Sequence, residues 1–195
     1  MPNPRAGRQM RYIPAKIQHR DDGGAPVIAC YFAVFNSPTE LWPGCIEQIA
    51  PGAFSSSLGG DVRALVDHET RLVLGRTTAG TLTLREDESG LYGEIKINPN
   101  DSDAMNLYAR VQRGDVSQCS FGFEIVSEDY IVGSDGQTCT WTIHDLILYE
   151  VSVVTFPAYE ATSAYARDAG DMASLRTARL NRRRQELLER INKLC

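Results

Sequence analysis

Lysine and histidine are scarce in this 195-residue chain, three of each, and the scarcity narrows the chemistry open to it. Histidine, the side chain whose ordinary pKa lies nearest neutral pH, is present only at His19, His68 and His144. A serine–lysine dyad would have to use Lys96, since Lys16 and Lys193 lie near the termini, and no motif surrounds it. The five cysteines, Cys30, Cys45, Cys119, Cys139 and Cys195, are odd in number and include no C-x-x-C pair. Reduced thiols and a cytoplasmic setting are therefore expected, with neither a disulfide framework nor a structural zinc site. No apolar run approaches the roughly 20 residues of a membrane helix. The N-terminal "MPNPRAGRQMRY" lacks the apolar core of a secretion signal. Dinucleotide and P-loop glycine fingerprints are missing, as is H-E-x-x-H. The pairs His68/Glu69 and His144/Asp145 are each adjacent in sequence, so their members point to opposite faces of a strand, and no metal site is expected.

Charge is also uneven. Of the net −5, residues 171–195 hold seven Arg/Lys against three Asp/Glu, +4, which leaves −9 on residues 1–170. An acidic body with a basic tail argues against a nucleic-acid-binding domain, which needs a basic face on the body itself. Neither an internal repeat nor a low-complexity tract is present.

What the chain has in quantity is short alternating runs. "VIACYFAVF" (27–35), "VRALV" (62–66), "GTLTLRED" (80–87), "GLYGEIKI" (90–97), "SQCSFGFEIV" (117–126) and "LILYEVSVV" (146–154) read as strands of a mainly antiparallel sheet or barrel. "EDESG" (86–90) and "GSDG" (133–136) read as hairpin turns. Within "PNDSDAMNLYARVQRG", Ala104, Leu107, Tyr108 and Val111 follow helical spacing and Gly114 is the stop. A second helical pattern runs from about Asp171 to Leu194, with Leu180, Leu187, Ile191 and Leu194 on one side and "RDAGD" (167–171) as its linker. The division expected is a β domain over 1–166, then a linker and basic helix over 167–195.

Alternation in "CSFGFEI" sends Cys119, Phe121, Phe123 and Ile125 to one face and Ser120, Gly122 and Glu124 to the other. Cys119 goes with the core as a small hydrophobe. Ser120 lies on the polar face, beside a glycine that leaves room for an approaching backbone. Such a serine reacts only with a base. His68 ends "RALVDH" between Asp67 and Glu69, and His144 lies in "WTIHDL"; by spacing alone either serves, while His19 reads as solvated. A third group must orient the imidazole. Glu150, among apolar residues in "YEVSVVTFPA" and sharing a face with Ser152 and Val154, is the first candidate, and Asp145 the alternative.

Five stretches resemble, in order and spacing, the prohead maturation proteases of tailed bacteriophages: "EQIAPGAF" (47–54), "ALVDHETRLVLGR" (64–76), "GLYGEIKIN" (90–98), "RGDVSQCSFGFEI" (113–125) and "LYEVSVVTFPAYEATS" (148–163). That family is similar in fold to herpesvirus assemblin. The resemblance implies an assemblin-like antiparallel β-barrel, closed or partly open, with a C-terminal helix. It implies a serine endopeptidase that works inside the procapsid in the bacterial host cytoplasm. Its substrates would be the major capsid protein or a scaffolding protein, and then itself. Self-association is possible; nucleic acid, membrane, metal and organic cofactor are not called for. His68 matches the family's histidine, Ser120 its S-x-G-F serine on the barrel's outer surface, and Glu150 the place of the assemblin second histidine. Oxyanion donors belong around "TFPAY", from Phe156, Ala158 or a neighbour, since Pro157 has no N–H. The rivals are a non-catalytic capsid-assembly or scaffold-binding module on the same barrel, and a cysteine peptidase using Cys119.

Overall fold

The computed structural model describes residues 5–14, 17–20 and 26–156. Eleven strands and one α-helix follow in chain order: β1 Arg8–Pro14, β2 Gln18–Arg20, β3 Val27–Val34, β4 Thr39–Trp42, β5 Cys45–Ile49, β6 Arg63–Val66, β7 Glu69–Arg76, β8 Leu82–Glu86, β9 Gly90–Lys96, α1 Ser102–Arg113, β10 Gln118–Val132 and β11 Cys139–Val154. They form two sheets. The larger runs β1-β10-β11-β5-β4, with β6 on a second stretch of β11 and β7 beyond it; the smaller runs β2-β3-β9-β8.

The predicted runs lie in β3, β6, β8, β9, β10 and β11, and the two predicted hairpin turns join β8 to β9 and β10 to β11. The helix also has the expected ends. Asp101 caps its N-terminus by accepting from Asp103 N and Ala104 N, and Gly114, at φ 81°, closes it. Ala104, Leu107, Tyr108 and Val111 are its buried residues.

Two expectations require correction. Among the described residues the sheets do not close into a barrel, because the two strand systems share no ladder of hydrogen bonds. Nor is the larger sheet wholly antiparallel. The long β11 pairs in parallel with β5 through Cys139–Ile143, then with β6 through Glu150–Val153. The expected C-terminal helix over 167–195 lies outside the described residues.

The reading of five reduced thiols fails at one pair. Cys45 and Cys139 face each other in the β5/β11 ladder and form a disulfide with Cα atoms 4.5 Å apart. Their 94-residue separation is bridged only by the parallel pairing, so no spacing rule could find it. Cys30 and Cys119 are free and buried, with sulfurs 2.9 Å apart in the core.

Between the sheets the core is aromatic. Phe121 stacks on Phe123 at 4.9 Å and meets Phe54 edge-on at 5.5 Å, all three fully buried. Truncating any of these to alanine costs about 3–5 kcal/mol. β10 is central, with β1 on one side and β11 on the other, so its outward face carries side chains from three strands. The site is built on that face.

Candidate active site

β6 and β7 are joined by a two-residue loop, Asp67-His68, with Val66 opposite Glu69. Both loop residues have positive φ, 46° and 61°, the signature of the type I′ hairpin turn. Glycine would adopt this freely; side-chain-bearing residues pay roughly 1–2 kcal/mol each. The strand β11 holds the turn in place. Asp67 N donates to Val153 O at 3.1 Å, and the Asp67 carboxylate accepts from Thr155 N at 2.7 Å and from Thr155 Oγ1 at 3.0 Å. His68 N donates to Ser152 Oγ at 3.3 Å. Backbone strain maintained by surrounding structure is a mark of functional positions.

The turn delivers the imidazole to Glu150. His68 Nδ1 lies 2.7 Å from Glu150 Oε1, and Ser152 Oγ donates to Glu150 Oε2 at 2.6 Å. A carboxylate only accepts, so Nδ1 is the nitrogen that donates in this pair, and in the neutral imidazole Nε2 is then the one with the lone pair. Nε2 is buried and, among the described residues, has no hydrogen-bond partner. Glu150 is 1% exposed, a buried carboxylate and not a charge at a solvated sheet edge. Arg8, with a nitrogen 3.6 Å from Glu150 Oε1, is its cationic neighbour.

Gly122 sits opposite Glu150 in the β10/β11 ladder. A Cβ there would run into the Glu150 carboxylate and Arg8. The sequence reading gave this glycine to an approaching backbone; the group that needs its space is a side-chain carboxylate.

Ser120 lies two residues earlier on β10, opposite Ser152 on β11 and Tyr12 on β1. It has the predicted face but not the predicted exposure, being 0% exposed. A short side chain in a central strand is covered by what stands around it, here Tyr12 among its neighbours. Ser120 Oγ donates to Arg11 O at 2.9 Å, not to His68. The Tyr12 ring meets the His68 ring edge-on, centroids 5.4 Å apart, and forms one wall of the site. Burial, then the charges of Glu150 and Asp67, push the Tyr12 phenol up and keep it neutral.

A buried carboxylate paired with a histidine, and a serine on the same sheet face, are the residue types that serine hydrolysis employs. The family model of the caudovirus prohead serine protease matches residues 14–174. The chain belongs to that family. It is 31% identical over 172 residues to the prohead protease of Enterobacteria phage HK97, which covers 86% of this chain and 72% of that protein. It is also similar to the bacteriophage T4 capsid assembly protease, with a TM-score of 0.49 and 8% identity, covering 77% of this chain and 98% of that one.

The other candidates fall elsewhere in the fold. His144 Nε2 lies 2.9 Å from Asp129 Oδ2, exposed on the β10/β11 ribbon. Asp145 accepts from Ser56 Oγ at 2.7 Å, away from His68. Lys96 is on the smaller sheet. Burial and then Cys30 push the Cys119 thiol up, which opposes the thiolate a cysteine nucleophile requires. Phe156 is exposed, whereas Pro157 and Ala158 lie outside the described residues, so the oxyanion donors are not located. Among the described residues no cluster of three or more His, Cys, Asp or Glu could hold a metal, and no helix is long and apolar enough to cross a membrane.

Sequence reasoning missed Tyr12 and the roles of Asp67 and Ser152. The only signal was the shared face of Ser152 and Glu150. Tyr12 carried none, because nothing in "RQMRYIP" announces its pairing with β10.

Proposed function

We propose that this phage head maturation protease cuts by a serine mechanism in which Ser120 is the nucleophile, His68 the general base and Glu150 the group that orients the base. The observation that carries the reading is the 2.7 Å pairing of His68 Nδ1 with Glu150 on a strained turn, with Nε2 left without a hydrogen-bond partner among the described residues. Ser120 Oγ turns from Arg11 O to His68 Nε2, a bond that often tightens only when substrate is present. His68 takes the Ser120 proton, the alkoxide attacks the scissile carbonyl, and backbone N–H groups hold the oxyanion. His68 then returns the proton to the leaving amine. This chemistry requires no cofactor.

The substrates in this reading are the major capsid protein or a scaffolding protein inside the assembling procapsid, followed by the protease itself. Residues 1–166 form the catalytic domain, and 167–195 a linker and basic segment that meets the assembly or a second copy of the chain. One observation favours the rival, a non-catalytic assembly module: Ser120 is covered and bonded to Arg11.

Co-expression with the phage coat and scaffolding proteins separates the two. Processed fragments and self-shortening are expected, abolished by Ser120→Ala and by a fluorophosphonate, while a folded Cys119→Ala variant keeps cleaving. Absence of processing under capsid-assembling conditions would favour the rival. Cleavage by Ser120→Ala would show that the nucleophile lies elsewhere.

A further inference from the structure

We infer that Ser152 is a positioning residue of the active site, one that fixes both the orienting carboxylate and the turn that carries the base. The inference rests on the His68–Glu150 reading above and extends it to a residue outside the catalytic three.

Ser152 is 0% exposed and lies directly across the ladder from Ser120. Its hydroxyl uses both hydrogen-bonding capacities within the site. It donates to Glu150 Oε2 at 2.6 Å and accepts from His68 N at 3.3 Å. Glu150 offers its other oxygen to His68 Nδ1 at 2.7 Å. One hydroxyl therefore closes a ring that runs from the His68 backbone through Ser152 and Glu150 to the His68 ring.

The ring answers two physical needs. A carboxylate at the end of a flexible side chain can rotate, and Arg8, with a nitrogen 3.6 Å from Oε1, draws on the same oxygen that His68 uses. A donor on Oε2 fixes the carboxylate plane, so that Oε1 stays on the imidazole. Meanwhile His68 holds a φ of 61°, which an L-residue adopts at a cost. Satisfying its part-buried N–H from β11 offsets that cost and keeps the ring pointed at Glu150. Neither hydrogen bond of this hydroxyl goes to Ser120 Oγ, which donates to Arg11 O instead.

The test uses full-length protein and two readouts. The first is the rate of Ser120 labelling by a fluorophosphonate. In Ser152→Ala, and in the near-isosteric Ser152→Cys, the maximal rate should fall about 10- to 100-fold, with the half-saturating probe concentration unchanged. Ser152→Thr, which keeps the hydroxyl, should restore most of it. The second is the downfield Nδ1–H resonance of His68, assigned by its disappearance in His68→Gln. It should broaden or vanish in Ser152→Ala and persist in Ser152→Thr. A folded Ser152→Ala or Ser152→Cys protein with wild-type labelling and an unchanged resonance would overturn the inference. So would a rate loss that tracks a lowered Tm while the resonance stays intact, since that is a structural role only. The resonance is also read in Ser120→Ala protein, without catalysis, so a wrong nucleophile, seen as continued cleavage by Ser120→Ala, is a separate result.

Discussion

His68 and Glu150, 82 residues apart in sequence, meet at 2.7 Å because β6 and β11 run parallel at that point. β6 ends in the turn that holds His68, while Glu150 stands where the β6 pairing begins, opposite Arg63. The imidazole must therefore fold back from the turn over Ser152 and Glu150, and the left-handed backbone at His68 accompanies that reversal.

Glu150→Gln should lower cleavage by at least about 100-fold, since an amide can present a donor to Nδ1 and favour the wrong tautomer. Asp145→Asn should change little, because Asp145 faces Ser56. Rates of coat-protein processing by the two variants test the assignment; a larger loss at Asp145 would transfer the orienting role.

Gly122→Ala should fold yet process poorly. The new methyl meets the Glu150 carboxylate and Arg8. Displacing them strains a packed face by about 1–3 kcal/mol and breaks the alignment with His68. A variant that is destabilised but fully active would mean that the carboxylate relaxes without consequence.

Glu47 should control acid stability. Burial alone would raise its pKa, but the charge and hydrogen bond of Arg11, and then those of Arg5, bring it down to about 2. A folded pKa below the unfolded one stabilises the fold fully above about pH 5, and this stabilisation, about 3 kcal/mol, is lost as pH falls towards 2. Urea unfolding of the wild type should weaken steeply across that window. Glu47→Gln should show a flatter profile there and, with Arg11 left beside a neutral amide, lose about 3–5 kcal/mol at neutral pH.

Deleting residues 171–195, which carry +4 against −9 on the rest, should leave fluorophosphonate labelling nearly intact but reduce incorporation into proheads. High salt should partly reproduce the defect if the arginines contribute. Normal packaging of the truncated chain would remove the addressing role; packaging without cleavage would assign the segment to the catalytic fold.

Several features were legible because they are local. Alternation placed Cys119, Phe121 and Phe123 in the core and Ser120 on the other face, and a capping aspartate and a stop glycine bounded α1. These follow from periods of 2 and 3.6 residues and from backbone chemistry within one turn. Ser120 was singled out that way, while His68 was one of two candidates until the family resemblance was added, and Glu150 kept Asp145 as its alternative even then. Only the tertiary structure joined Glu150 to His68 and sent Asp145 to Ser56. It also bonded Cys45 to Cys139, covered Ser120 and gave Gly122 a carboxylate to accommodate. Apart from the Ser56 contact, which a turn segment makes, each of these depends on which strands lie side by side and in what register. A parallel partner 80 or more residues away leaves no periodic trace in either strand, so alternation can fix a side chain's face but not the neighbour it finds there.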